Sequence, residues 1–408
     1  MTPEPPVAET ISAFRRGEWR TSLDRAPLPG PAGRELALVP EIVADADRRW
    51  WDSGLPGLPL LTGRRELLLT ALELFAGDTL TVGGVGEQSG EAFRAALWES
   101  AGLPGPLVDR WCAMLRDGVL KKDDVPEPDG ALALVALPGN TFTCLAAVCD
   151  QAERSAGVWL RPSRREPLSA ARLVAALLAA GWPRARLGFY PGEQRSLHGL
   201  LRLTDRHVVY GGAGLAASVR SSPALTLHGP GRGCALVPPD MPTDDAVAWL
   251  LPLIAADSGR FCSNVRTVVC EKPDAAAALA TSLAAALDAL SPDGAWPLTA
   301  FREPGAAERV TRGVRDRLRP GDRVLTRRPP VLHGTAGDVY ALPHLVLLEG
   351  HLTSPTPGAQ APDATDTSAT HPLIGHEVPF PFAAVLSASP RAADAIIAES
   401  LFVYRPAK

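Results

Sequence analysis

Residues 131–140 read ALALVALPGN: a continuous apolar run of strand length, Ala131 to Leu137, stopped by Pro138-Gly139-Asn140. A run of that length bounded by a turn signal reads as a buried strand. The pattern then repeats. A helical stretch over 143–153 leads to a short strand over 158–160. A polar turn, 161–166, precedes a strong helix over 169–180. A strand over 186–190 stops at Pro191-Gly192, and a helix over 197–203 leads to a strand over 207–210 ending at Gly211-Gly212. This β-α-β-α-β-α-β order at short intervals predicts an α/β fold with a parallel sheet and helices on its faces. Ligands in such sheets sit beyond the carboxyl ends of the strands. Those ends are Asn140, the turn at 161–165, Pro191-Gly192 and Gly211-Gly212.

Upstream, residues 1–125 read as mostly helical and irregular, with helical spacing at 66–75 and 91–98. Downstream, a second alternating unit begins near Leu225. It has predicted strands at 234–237 and 265–270, helices at 243–256 and 275–290, and further strands at 323–325, 339–342 and 345–348. Residues 353–371, poor in apolar residues and rich in Pro, Ser, Thr and Ala, read as a flexible surface loop. The expected organisation is an N-terminal and nucleotide-binding region over 1–225, with its sheet from about 130. A catalytic domain over 226–376 and a C-terminal segment over 377–408, returning towards the cofactor site, complete it.

The 408 residues are 46% hydrophobic and 21% charged, which is too apolar for a disordered chain. The richest apolar stretch, 246–256, is too short to span a bilayer and contains Pro252. The first twenty residues carry no signal-peptide pattern, so a cytoplasmic protein is expected. A net charge of −4 offers no electrostatic reason to expect nucleic acid. None of the six cysteines forms a CxxC pair, and no histidine stands near them in a zinc-like pattern, so no metal site is expected.

Most cysteines should be buried, reduced residues. Cys270 alternates within a strand, and Cys144 and Cys149 lie on a helix. Cys262 differs: Gly and polar residues surround it in a turn (257–264, DSGRFCSN), where a thiolate can meet a substrate. Asn140 is a second candidate, because a side-chain amide at a strand end can aim its N–H at a developing oxyanion. Asn is also a preferred helix N-cap, and taken alone that reading is the stronger.

Together these features resemble the aldehyde dehydrogenase superfamily, over roughly residues 130–385. Pro138-Gly139-Asn140 resembles the strand end carrying that family's oxyanion-hole Asn. Residues 160–170 (LRPSRREPLSA) resemble its K-P-[SA]-E-x-[ST]-P-x-[ST]-A segment, and Phe189-Tyr190-Pro191-Gly192 resembles its PG stretch. Val209-Tyr210-Gly211-Gly212 resembles the turn over the cofactor phosphates. Gly259-Arg260-Phe261-Cys262 resembles the GQxC nucleophile motif, and 377–381 (EVPFP) resembles E-[IV]-F-G-P, whose Glu holds the nicotinamide ribose.

The resemblance implies a Rossmann-type cofactor domain and a second α/β catalytic domain. It implies Cys262 as nucleophile, Asn140 as oxyanion donor, and Pro138, Gly139, Arg161, Ser163, Arg164, Gly192, Gly211, Gly212 and Glu377 around the cofactor. Two departures refine it. Where oxidising members place a general-base Glu, this chain has Thr226 in 225–229 (LTLHG). That points to the acyl-thioester reductase branch associated with bacterial luciferase, with His228 as a substitute acid or base or as a structural histidine. Where NAD-using members place a carboxylate on the ribose, this chain has Arg164, flanked by Arg165 and with Arg161 nearby. Guanidinium groups suit a 2′-phosphate, so NADPH is expected, with NADH as the alternative. The expected reaction is reduction of an acyl-CoA or acyl-carrier-protein thioester to an aldehyde through acyl-Cys262. Its rivals are aldehyde oxidation and thioester transfer without reduction. Only 31 residues follow Glu377. The family's usual subunit assembly is therefore not carried over, and a homodimer is one possibility left open.

Overall fold

The computed structural model describes residues 9–30, 33–54, 61–121, 127–219, 222–334, 337–352 and 371–406. The predicted loop over 353–371 lies outside the described residues except at His371. The chain divides into two compact units, Met1–Gly229 and Pro230–Lys408.

In the first unit, the apolar run forms the strand Leu132–Ala136, buried at every position. Parallel neighbours flank it: Gly157–Arg161 and Leu187–Phe189 on one side, Arg206–Tyr210 and Leu225–His228 on the other. Each return crosses by a helix, as a parallel pair requires. Helices Glu41–Asp52 and Ser196–Arg202 cover one face, with Trp51, Leu197 and Leu200 packed on Leu132, Leu134 and Trp159. Leu168–Ala179 is buried almost throughout because N-terminal helices lie on it, and Arg172 at its centre is fully enclosed. The Arg172 guanidinium donates to the carbonyls of Phe75 (2.8 Å), Gln88 (2.8 Å) and Asp78 (2.6 Å). One buried cation thereby terminates three backbone acceptors of the N-terminal region.

Two expectations need correction. Residues 1–125 are not only helical and irregular. A hairpin, Ala13–Arg15 and Glu18–Arg20, extends the large sheet antiparallel beside Leu187–Phe189, and Thr10–Ile11, Arg25–Pro27 and Glu35–Ala37 form a small sheet of their own. Strands of two or three residues are too short to carry a period-2 signal. The stretch near Leu225 does not open the second unit: Leu225–His228 pairs with Arg206–Tyr210, and the division falls after Gly229.

The second unit holds a six-stranded sheet in the order Arg323–Val324, His344–Leu352, Phe382–Ala388, Val265–Cys270, Gly233–Leu236, Val403–Tyr404, parallel except for the first. The segment after Glu377 is thus no appendage, since it supplies a fully buried central strand and one edge. Alternate residues of the central strands face two cores. Val268, Leu345 and Val385 pack with helices Thr243–Ala255 and Pro273–Asp288, while Val269, Val346 and Ala384 pack towards Ala306–Arg315.

Candidate active site

The Cys262 loop is built in the second unit between the helix Thr243–Ala255 and the strand Val265–Cys270. It opens with three successive left-handed residues, Asp257, Ser258 and Gly259, at φ 57°, 56° and 64°. Such backbone costs about 1–3 kcal/mol at a non-glycine residue and persists only where the surroundings impose it. Here they do. Ser258 Oγ accepts from the Thr299 N–H at 2.9 Å. The enclosed guanidinium of Arg266 donates to Gly259 O, to Val378 O at 3.0 Å and to Phe380 O at 3.2 Å. Asn264 closes the turn: its side-chain oxygen accepts from the Phe261 N–H at 2.8 Å, and its amide donates to Leu253 O and Ala256 O, each at 3.1 Å. The Tyr404 hydroxyl donates to Ser263 O at 2.7 Å. Gly231 packs so closely behind that a Cβ there would stand 2.0 Å from Cys262 O.

Cys262 is the one exposed cysteine of the six; four are buried and Cys144 is half-buried. Burial pushes Cys112 and Cys270 up to about 11 and Cys234 to about 12, which keeps them protonated and inert. The Cys262 thiol is also raised, first by the protein atoms crowding the sulphur and then by the Glu377 carboxylate. Its own N–H, that of Ser263 and the Arg266 cation oppose this by favouring the thiolate. Glu377 is held in turn: its Oε1 accepts from the N–H groups of Gly231 (2.6 Å) and Arg232 (3.3 Å). The fold therefore brings Cys262 and Glu377, far apart along the chain, into electrostatic reach.

The remaining candidates lie in the first unit, at the carboxyl ends of its strands. Asn140 follows Leu132–Ala136 and is half-buried; the next helix starts only at Leu145 with Cys144 as its N-cap, so Asn140 does not occupy a cap position. A Cβ on Gly139 would meet Ser163 Oγ at 2.5 Å, so the Pro138–Asn140 turn and the 161–165 turn lie against each other. Arg164 and Arg165 are exposed. Arg161, by contrast, is turned inward: its Nη2 donates to the carbonyls of Gly192 (3.3 Å) and Glu193 (3.1 Å), and burial pushes its pKa down to about 10. The buried Glu166 carboxylate serves the start of the following helix, where it accepts from the Ser169 N–H at 2.9 Å and from the Ser169 hydroxyl. Gly211 and Gly212 precede the short helix Ala213–Ser218, and space is open beside Gly212. Thr226 and His228 are exposed on one face of Leu225–His228. The His228 ring stacks on Tyr210 with centroids 4.4 Å apart and planes 9° apart, and the protein atoms that screen part of the ring from water lower its pKa.

Arg266, Asn264, Gly231 and Tyr404 escape a reading of the sequence alone. Arg266 had a signal: a charge inside a buried apolar strand (VRTVVC) demands buried partners. The others are defined only by distant segments. Among the described residues, no cluster of three or more His, Cys, Asp or Glu is placed to hold a metal ion, and no helix is long and apolar enough to cross a membrane.

No protein-family model matches the chain, and no curated protein matches it in sequence. Solved structures do match. An aldehyde dehydrogenase from Brucella melitensis biovar abortus 2308 superposes with a TM-score of 0.71 at 15% identity, covering 100% of this chain and 87% of its own. A salicylaldehyde dehydrogenase from Pseudomonas putida G7, complexed with salicylaldehyde, gives 0.71 at 14% identity over 96% and 83%. The NAD+ complex of an aldehyde dehydrogenase from Bacillus cereus gives 0.64 at 14% identity over 96% and 82%. The chain has the aldehyde dehydrogenase fold, an α/β architecture of two units.

The first unit's residues fit a dinucleotide. The cradle at Gly139 has no room for a side chain, Gly212 leaves space, and the exposed guanidinium of Arg164 stands at the sheet's carboxyl edge. Ser163, Arg164, Gly192 and Gly211-Gly212 are the residues that would hold it. In the second unit, Glu377 Oε2 has no hydrogen bond among the described residues.

Proposed function

We propose that the protein is a nicotinamide-dependent oxidoreductase acting between the aldehyde and acyl levels, with Cys262 as nucleophile. The observation that carries this is the Cys262 loop: the one exposed thiol, on a turn locked by Asn264 and Arg266. Once deprotonated, Cys262 attacks the acyl carbon of a thioester, and the carbonyl electron pair moves onto oxygen. The oxyanion takes the Cys262 N–H and, in this proposal, the Asn140 amide. Collapse expels the carrier thiolate, which takes up the proton that left Cys262. A nicotinamide, when bound, would supply hydride to the acyl carbon, or accept it in the opposite direction; after hydride addition the bond from that carbon to the Cys262 sulphur breaks, releasing the aldehyde and returning the Cys262 thiolate. Arg164 and Arg165 favour NADPH over NADH, because they present positive charge where a 2′-phosphate would lie.

The direction has two supports. No Asp or Glu occurs from 206 to 239, and the Thr226 hydroxyl is too weak a base to activate water. That favours reduction of an acyl thioester carried on CoA or a carrier protein. The solved structures of like fold are described as aldehyde dehydrogenases, which favours oxidation of an aldehyde. Incubation with an acyl-CoA without NADPH, followed by mass spectrometry, separates them. A single adduct on Cys262, discharged to aldehyde by NADPH, supports reduction. Formation of NADPH and acid from aldehyde and NADP+ supports oxidation. Inertness in both assays would refute the proposal.

A further inference from the structure

Residues 302–328 carry nine arginines against four carboxylates in a chain whose net charge is −4. Several are neutralised: Arg302 pairs with Asp338 at 2.6 Å and Arg309 with Glu303 at 2.8 Å. Arg312 and Arg315, in the last turn of the helix Ala306–Arg315, are exposed and have no ion pair among the described residues. Three positions apart on a helix, they share a face. With Glu308 and Thr311 of the same helix, that face lines an open cavity of about 300 Å³, completed by Pro330, Val331 and His333 from the facing strand Val331–His333 and its approach. None of these residues belongs to the Cys262 loop or to the Glu377 segment.

The lining has a specific chemistry. Two guanidinium forks offer planar, always-charged donors suited to a phosphate. Glu308 Oε2 is buried without a hydrogen-bond partner, and its Oε1 is 3.8 Å from His333 Nε2, too far for a hydrogen bond. A bare anion would be repelled by Glu308. A phosphate ester whose organic part carries a hydroxyl or amide donor would satisfy the arginines and the orphaned carboxylate oxygen together. The Thr311 hydroxyl is already committed to Ala307 O at 2.9 Å, so it does not compete.

We propose that this cavity binds a phosphate ester bearing a neighbouring hydrogen-bond donor, at a site separate from the nucleotide turn of the first unit. Phosphopantetheine and ribose 5-phosphate share that chemistry and represent its two sources, a thioester carrier and a nucleotide. The test is calorimetric titration of the full-length protein with each, with inorganic phosphate and with pantetheine. At least one ester should bind, inorganic phosphate more weakly, pantetheine not measurably, and whichever ester is tighter names the source. Arg312→Ala/Arg315→Ala should weaken ester binding by about tenfold or more, two charge-assisted contacts being lost. Both side chains are exposed and Ala favours helix, so the fold should survive. Arg312→Lys/Arg315→Lys, which keeps the charge, should retain more affinity than the alanine pair. Arg309→Ala, on the same helix but outside the cavity lining and already paired with Glu303, should leave ester binding unchanged. No binding by the wild type at millimolar ester, equal binding of pantetheine, or loss in Arg309→Ala but not in the alanine pair would overturn the proposal. None of these readouts depends on the redox reaction, so its failure would leave this site standing.

Discussion

Replacing Arg266 by Met tests whether one buried cation holds the Cys262 loop. Its guanidinium is enclosed and bonded to three carbonyls from two segments: Gly259 beside the strained turn, and Val378 and Phe380 just beyond Glu377. Each buried carbonyl stripped of its donor costs about 1–3 kcal/mol. Against this, burial pulls the Arg266 pKa from 12.5 to about 10, so relief from enclosing the charge returns about 3 kcal/mol. The difference spans about 0–6 kcal/mol, and its centre, about 3 kcal/mol, is the expected destabilisation, in the range for removing one partner of a buried charged network. Urea denaturation at pH 7, followed by tryptophan fluorescence, measures it. The rate of Cys262 alkylation by iodoacetamide reports on the loop itself, which should lose its fixed geometry before the unit unfolds. A loss below about 1 kcal/mol with unchanged alkylation would refute the clamp, because the carbonyls would then have found other partners.

Asn140→Ala should lower turnover by about 10²–10³-fold without lowering the melting temperature if the amide is an oxyanion donor; steady-state kinetics beside a thermal melt decide this. Arg164→Glu should move coenzyme preference from NADPH towards NADH, read as the ratio of kcat/KM for the two; a wild type that already prefers NADH would contradict the assignment of this turn. Thr226→Glu should raise the acid-to-aldehyde ratio of products measured by chromatography, whereas hydrolysis already present in the wild type and lost in His228→Ala would assign the base to His228. Burial, with Arg317 and Arg266 nearby, lowers the His376 pKa to about 4. Between about 6.5 and 4 the unfolded chain binds the extra proton, so stability is full above pH 6.5 and falls as the pH drops through that window, by at most about 3 kcal/mol from this group. His376→Gln should flatten part of that fall in urea midpoints measured against pH; His344 and His371, shifted the same way, keep the remainder.

Much of the architecture was legible because burial on both faces writes itself into composition. The run at Leu132–Ala136 is continuous and apolar, and Gly157–Arg161 and Val265–Cys270 are buried at every position and apolar but for Arg161, Arg266 and Thr267, because helices cover both sides of each sheet. Cys262 was legible for the opposite reason: alone among the cysteines it stands between glycine and polar residues, which is what a turn at a surface requires. The short N-terminal strands were not legible, since Ala13–Arg15 is a strand only because Leu187–Phe189 presents an edge to it.

The sequence by itself determined the α/β alternation, the position of the Cys262 turn and the group of residues at the strand ends, because those follow from local periodicity and turn chemistry. Only the tertiary structure decided what those residues do with their charges. Arg161 and Arg164 are three positions apart in one basic turn, yet one is spent on the carbonyls of Gly192 and Glu193 while the other faces solvent. Arg266 and Glu377 flank Cys262 from segments more than a hundred residues apart. A charge buried in a fold takes its role from whichever carbonyl or carboxylate the packing brings to it, and no local pattern records that partner.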